Sequence, residues 1–207
     1  MNAVSDSGSG LAVMDLREFF HDSVQQALQH QQVEVEAQTE HYLVNVLTSF
    51  AHADAFYEQT AGGAQLKPLA CMLADALEAA DATRQRQALQ RMGDVSLFMA
   101  GFFAHGFARK LVDLDYHIAM GGRAYAALAD SWRGKVRGAV FAAIFTELAG
   151  KFQRLVDVLN EVADMARPAS NQDVLRLYEV WLATGSPRAR QLLASLGVMP
   201  VAGRTHA

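Results

Sequence analysis

The sequence predicts an all-α fold, a single bundle of about seven to eight mostly antiparallel helices, and three observations carry that expectation. Apolar residues recur at alternating three- and four-residue steps from about residue 15 to residue 195. No stretch alternates apolar and polar residues for long enough to make a strand, and the connections between periodic runs are short, which sets consecutive helices antiparallel. The 207 residues, 51% hydrophobic and 19% charged, have the mixture of one ordinary folded domain. Residues 1–12, rich in Ser and Gly, read as a tail, 13–197 as the helical domain and 198–207 as a second tail.

The first helix is expected over about 15–31, with Leu16, Phe20, Ala27 and Leu28 on one side and Asp15 placed to cap its start. The second, about 34–58, carries Leu43, Val46, Phe50, Ala53 and Tyr57 as its stripe, with His41, Asn45, Thr48 and His52 opposite. Gly62-Gly63 breaks the pattern. Pro68 then suits the first turn of a short helix reaching about Ala80, because its missing N–H is not needed there. A fourth helix starts near Thr83 as an amphipathic element and becomes apolar nearly all round from Val95 to Phe107, the pattern of a central, buried helix.

The fifth, about 113–132, spaces Leu114, Ile118, Gly121, Tyr125, Leu128 and Trp132 along one face. Gly121-Gly122 lowers its helix propensity by roughly 1 kcal/mol per glycine, which implies a packing purpose or a kink. The sixth, about 137–165, is the longest: Phe141, Phe145, Leu148, Phe152, Leu155, Leu159 and Val162 form one uninterrupted stripe opposite Arg154, Asp157, Glu161 and Asp164. Pro168 ends it, Ser170 and Asp173 form a capping box, and a seventh helix with Leu175, Tyr178, Val180 and Trp181 runs to Gly185. Ser186-Pro187 starts a last short helix that ends at Gly197.

The 18 basic and 22 acidic residues are scattered, so nothing in the net charge of −4 recruits a polyanion. The best basic cluster, Arg84, Arg86 and Arg91, lacks interleaved aromatics, and nucleic acid is not an expected partner. The most apolar run, Val95 to Ala104, is well short of the ~20 residues a membrane span requires. The N-terminus has no basic region followed by an apolar run, so a cytoplasmic location is expected. Cys71, alone in an apolar setting, reads as a buried, inert thiol in a reducing compartment.

Phosphate-cradling loops, paired-cysteine zinc patterns and nucleophile elbows are absent. What remains is a set of acids and histidines. Asp94 stands where the fourth helix turns apolar, and a buried acid needs a partner; Arg91 one turn back, or Arg123 on the next helix, would complete a structural polar core. Asp113 and His117, four apart, share a face and with Glu36, Glu40 and Glu147 are the candidates for a metal site of iron or manganese. Each also has an ordinary role: Asp113 caps a helix start, and Glu147 pairs with Lys151. His105 is a weaker candidate ligand of haem or a metal, and Tyr42, Phe98, Phe102 and Tyr125 would line a pocket if the chain carried a small apolar ligand.

The segments RMGDVSLFMAGFF (91–103), DLDYHIAMGGRAY (113–125) and LRLYEVWLATGS (175–186) together resemble a group of bacterial all-α proteins of about this size that have no assigned activity. The resemblance covers most of 15–197 and implies a bacterial cytoplasmic protein with this helical core; the group often has tyrosine where His117 stands. A fainter similarity is to the haem-oxygenase-like helical fold, whose di-iron oxidase members take glutamates, histidines and an Asp/His pair from neighbouring core helices. Here Asp113, His117 and Glu40 match loosely, and the upstream glutamate and histidine are missing. The leading expectation is therefore a homodimeric interaction or regulatory protein without catalysis or cofactor, motivated by the stripe from Phe141 to Val162. The alternatives are a metal-dependent helical-bundle oxidase or hydrolase and a carrier of a small apolar ligand.

Overall fold

The apolar stripes fold into nine helices and one small hairpin among the described residues. The computed structural model describes residues 7–51, 58–60, 63–65, 67–102, 111–135, 138–166, 174–195 and 198, and at 7–15, 58–60, 63–65, 111–113, 174–176 and 179 the description is of the backbone. The order is α1 (Ser7–His30), α2 (Ala37–Phe50), β1 (Glu58–Thr60), β2 (Gly63–Gln65), α3 (Leu69–Leu77), α4 (Ala82–Phe102), α5 (Leu111–Trp132), α6 (Ala139–Gly150), α7 (Phe152–Met165), α8 (Val174–Thr184) and α9 (Pro187–Ser195). The all-α bundle is the fold.

Helix α4 is the hub: it lies along α5 and also meets α2, α3 and α7. Its run Val95, Ser96, Leu97 and Phe98 is buried on successive positions, which is how a helix surrounded by others must read. Two glycines set how closely α4 and α5 approach. A Cβ on Gly93 would strike the Tyr125 ring, and one on Gly121 would fall 2.6 Å from Ser96 Cβ and into the Phe152 ring. The packing purpose expected at Gly121 is therefore met, whereas Gly122 would make only ordinary contact with Phe152 at 3.7 Å.

Several boundaries differ from those the pattern suggests. Helix α1 begins at Ser7, so Asp15 lies inside it; the poor helix propensity of the Ser-Gly run hides the start. Glu58–Thr60 and Gly63–Gln65 pair antiparallel, Thr60 opposite Gly63, where the end of the second helix and a break were expected. The predicted single helix over 137–165 is two, joined at Lys151, whose φ of −109° and ψ of 12° leave the regular α geometry. Gly150 weakens the helix there, and Lys151 Nζ is tied to the Glu34 carbonyl at 2.6 Å. The joint lets α6 pack on α2 and α5 while α7 lies on α1 and α4.

Phe145, Leu148, Phe152, Leu155, Leu159 and Val162 are all buried within this one chain, so the stripe that suggested a partner helix is taken up internally; Phe141 alone of that stripe is exposed. Asp157, expected on the outer face, is buried at 4% exposure. Cys71, expected in the core, is exposed. The expected features at Ala53, Tyr57, His52, Phe103, Ala104, His105, Phe107, Pro168, Ser170, Asp173 and Gly197, and the tail from 199 on, lie outside the described residues.

Candidate functional site

One concentrated polar cluster sits where α2, α4 and α5 meet. In α2, Leu43, Leu47 and Phe50 face the core, and this register turns the neighbouring Tyr42 inward toward α4. Gln90 and Asp94 are one turn apart on α4 and point to the same place. Tyr125, fully buried on α5, enters through the space that Gly93 leaves. Tyr42 Oη donates to Asp94 Oδ1 at 2.5 Å, Tyr125 Oη donates to the same oxygen at 2.7 Å, and Gln90 Nε2 donates to Tyr42 Oη at 3.1 Å. Phe145 closes the cluster, its ring centre 5.4 Å from Tyr42 and 5.7 Å from Tyr125.

Burial pushes the Asp94 carboxyl up to about 6, against the two phenol hydrogen bonds and the Arg91 charge, which pull it down. Burial and the nearby Asp94 charge in turn hold both phenols well above their ordinary range, so they stay protonated donors. The cluster thus couples one proton, taken up near pH 6, to three helices. It differs from the expected ion pair: the hydrogen-bond donors are phenols, Arg91 acts through its charge while lying 5.2 Å over the Phe50 ring, and Arg123 is exposed.

The candidate metal ligands take up separate positions. Glu36 is exposed at the start of α2, and its backbone N–H donates to Glu147 Oε2 at 3.1 Å. Glu147 is buried enough to be pushed up, but Lys151 at 2.7 Å and the Glu36 N–H outweigh this and hold it below the usual carboxylate range. Glu40 lies 3.8 Å from His21 Nε2, and His117 is buried on α5. Asp113 is in the first turn of α5, and its side chain lies outside the described residues. Among the described residues, no three His, Cys, Asp or Glu side chains converge closely enough to hold one metal ion.

The four rings expected to line an apolar pocket pack instead in two groups. Phe98 and Phe102 stack at 5.1 Å beside Phe50 and Phe20, whereas Tyr42 and Tyr125 close on Phe145. The arginines of the basic cluster also turn to local contacts: Arg84 pairs with Asp81 at 3.6 Å and Arg86 lies 4.7 Å over the Trp132 ring. No helix among the described residues is long and apolar enough to cross a membrane.

Beside the polar cluster, α2 and α6 bound two open grooves that share Gln38 and Ile144. One, of about 370 Å³, runs past His41, Tyr42 and Asn45; the other, of about 290 Å³, runs past Thr39, Val140 and Ala143. Arg17 of α1 reaches the first, 3.0 Å from Asn45 Oδ1 and 3.3 Å from His41 Nε2. Val140, in the second groove, is 58% exposed, and Phe141, the next residue of α6, is 46% exposed with its ring stacked on Trp132 at 4.9 Å.

The phenol pair was hidden from sequence reading because Tyr42 and Tyr125 both sit at positions that read as core. The available signal was Asp94 itself, since a buried acid requires donors and tyrosine is the donor an apolar stripe can supply. No family model, curated protein or solved structure matches this chain.

Proposed function

We propose that this chain is a non-catalytic protein-binding module that acts as a homodimer through the face where α2 meets α6. The observation that carries the reading is the exposed Val140 on the rim of a groove that it lines with Ala143, Ile144 and Thr39, with the exposed Phe141 next to it in α6. A two-fold dimer needs one patch that is complementary to itself, and an apolar ridge lying next to a partly apolar groove meets that need: each ridge enters the other copy's groove. Large exposed apolar side chains on adjacent positions are also the feature that marks a contact surface. The Asp94 cluster favours the non-catalytic reading, because its carboxylate oxygen is engaged by two donors that also pin three helices together.

The exposed lone thiol of Cys71 fits a reducing compartment, and with the three resembling segments it supports placing the protein in a bacterial cytoplasm. Sedimentation equilibrium from low to high micromolar concentration tests the reading. Wild type is expected to dimerise, and Val140→Glu to become monomeric with its melting temperature unchanged. A wild-type chain that stays monomeric across that range overturns the homodimer.

A further inference from the structure

Helix α9 is held to the molecule differently from the helices of the core. It buries two apolar side chains, Ala189 and Leu193, and neither belongs to the continuous core that runs through α1 to α7. Its hold on α7 includes a set of polar ties. Ser186 Oγ donates to Asp157 Oδ1 at 2.6 Å and accepts the Ala189 N–H at 3.0 Å, so one hydroxyl both caps α9 and joins it to α7. Arg188 Nη2 donates to Asp164 Oδ2 at 2.5 Å, and its Nε lies 3.9 Å from Glu161 Oε2. Asp157, Glu161 and Asp164 recur at four and then three residues, forming one row along α7 under the hairpin.

We propose that the α8–α9 hairpin is a strap that swings off α5 and α7 as a unit while the rest of the bundle stays folded, with Arg188 as its clip to α7. Cooperative local opening occurs where few apolar contacts must be broken and the polar ones can be exchanged for water, which is the balance found at α9. Gly185, at a φ of 66°, makes the tight turn that keeps α8 and α9 together as one piece.

Opening is also linked to a proton. Asp157 is faced by Gln153, Glu161 and Asp164 of its own helix, by Ser186 and Arg188 of the hairpin, and by His30 at the end of α1 and Gln31 just after it, which bond Glu161 at 2.8 and 2.6 Å. Burial pushes its carboxyl up to about 6, against Ser186 and Arg188. Lifting the hairpin returns that carboxyl to water, so docking favours the proton: acid tightens the strap, and raising the pH through about 6 loosens it.

Hydrogen exchange of the full chain at pH 7.5, read by mass spectrometry, tests the strap. The amides of α8 and α9 are expected to exchange together and at least about tenfold faster than those of α4. Arg188→Ala is expected to speed the hairpin about tenfold further without changing α4. Asp157→Asn, which keeps an acceptor for Ser186 but removes the buried charge, is expected to slow it. If α9 and α4 exchange at one common rate in the wild type and in both variants, the hairpin opens only with the whole molecule and the proposal is overturned.

Discussion

Two carboxylates among the described residues, the half-buried Asp94 and the buried Asp157, are pushed up to about the same value, near 6, yet they sit in opposite kinds of place. Asp94 lies at the junction of three core helices and accepts from two rigid aromatic donors, whereas Asp157 lies under a peripheral hairpin and accepts from a serine that caps a short helix and, at 3.5 Å, from Gln153 of its own helix. A raised pKa alone therefore does not say what a buried acid does. Its partners decide: phenols anchored by large buried rings make a pin, and a hydroxyl on an element with few apolar contacts makes a latch.

The sharpest way to break this comparison is to remove an anchor. Tyr125→Ala deletes a fully buried ring together with one of the two donors, and is expected to cost about 3–5 kcal/mol in urea unfolding. A loss below about 1 kcal/mol would mean that the three helices are not pinned at Asp94.

The second test is the pH dependence of stability. Both carboxyls have folded values above the ordinary 3.8, so between about pH 4 and 6 the native state binds more protons than the unfolded chain. Stability is then highest below pH 4 as far as these two groups are concerned, and it falls as the pH rises through about 6, by on the order of 2–3 kcal/mol per carboxyl. Glu147, held below its ordinary value, acts in the opposite sense and favours the fold above its unfolded value. Melting curves of wild type and Asp94→Asn between pH 4 and 7.5 separate the contributions, the variant losing the part of the slope that belongs to the core cluster. An unchanged slope would assign the whole dependence elsewhere.

The smallest expected effects distinguish the two sites most finely. Tyr42→Phe leaves Asp94 with the Tyr125 donor and is expected to cost about 1.5–2 kcal/mol of global stability. Ser186→Ala removes a cap, about 1 kcal/mol by the usual range, and this loss should appear in the melting of the hairpin rather than of the core. Equal global losses from both would erase the distinction between pin and latch.

Much of the fold was legible along the chain. The stripes on α1, α2, α4, α5 and α7, the serine and proline at the start of α9, and the stop at Gly185 all follow from rules that act within one or two turns. The joint at Lys151 was not legible, because the apolar stripe continues through it; the tie to Glu34, far away in sequence, accompanies the bend. Cys71 misled for a related reason. Its apolar neighbours in α3 describe the helix but not the side on which its partners lie, and α3 turns Cys71 outward while burying Leu69, Met72 and Ala76.

The site divides the same way. The sequence singles out Asp94 as an acid in an apolar run and Ser186 as a helix cap, since both judgements depend on nearest neighbours. Only the tertiary structure brings residues 42 and 125 to Asp94, or sets residue 186 over Asp157. Periodicity determines which residues form helices and which face of each is apolar. Which polar groups lose water, and which donors replace it, is decided by the docking of helices that are distant in sequence, because desolvation depends on every element that closes over a group.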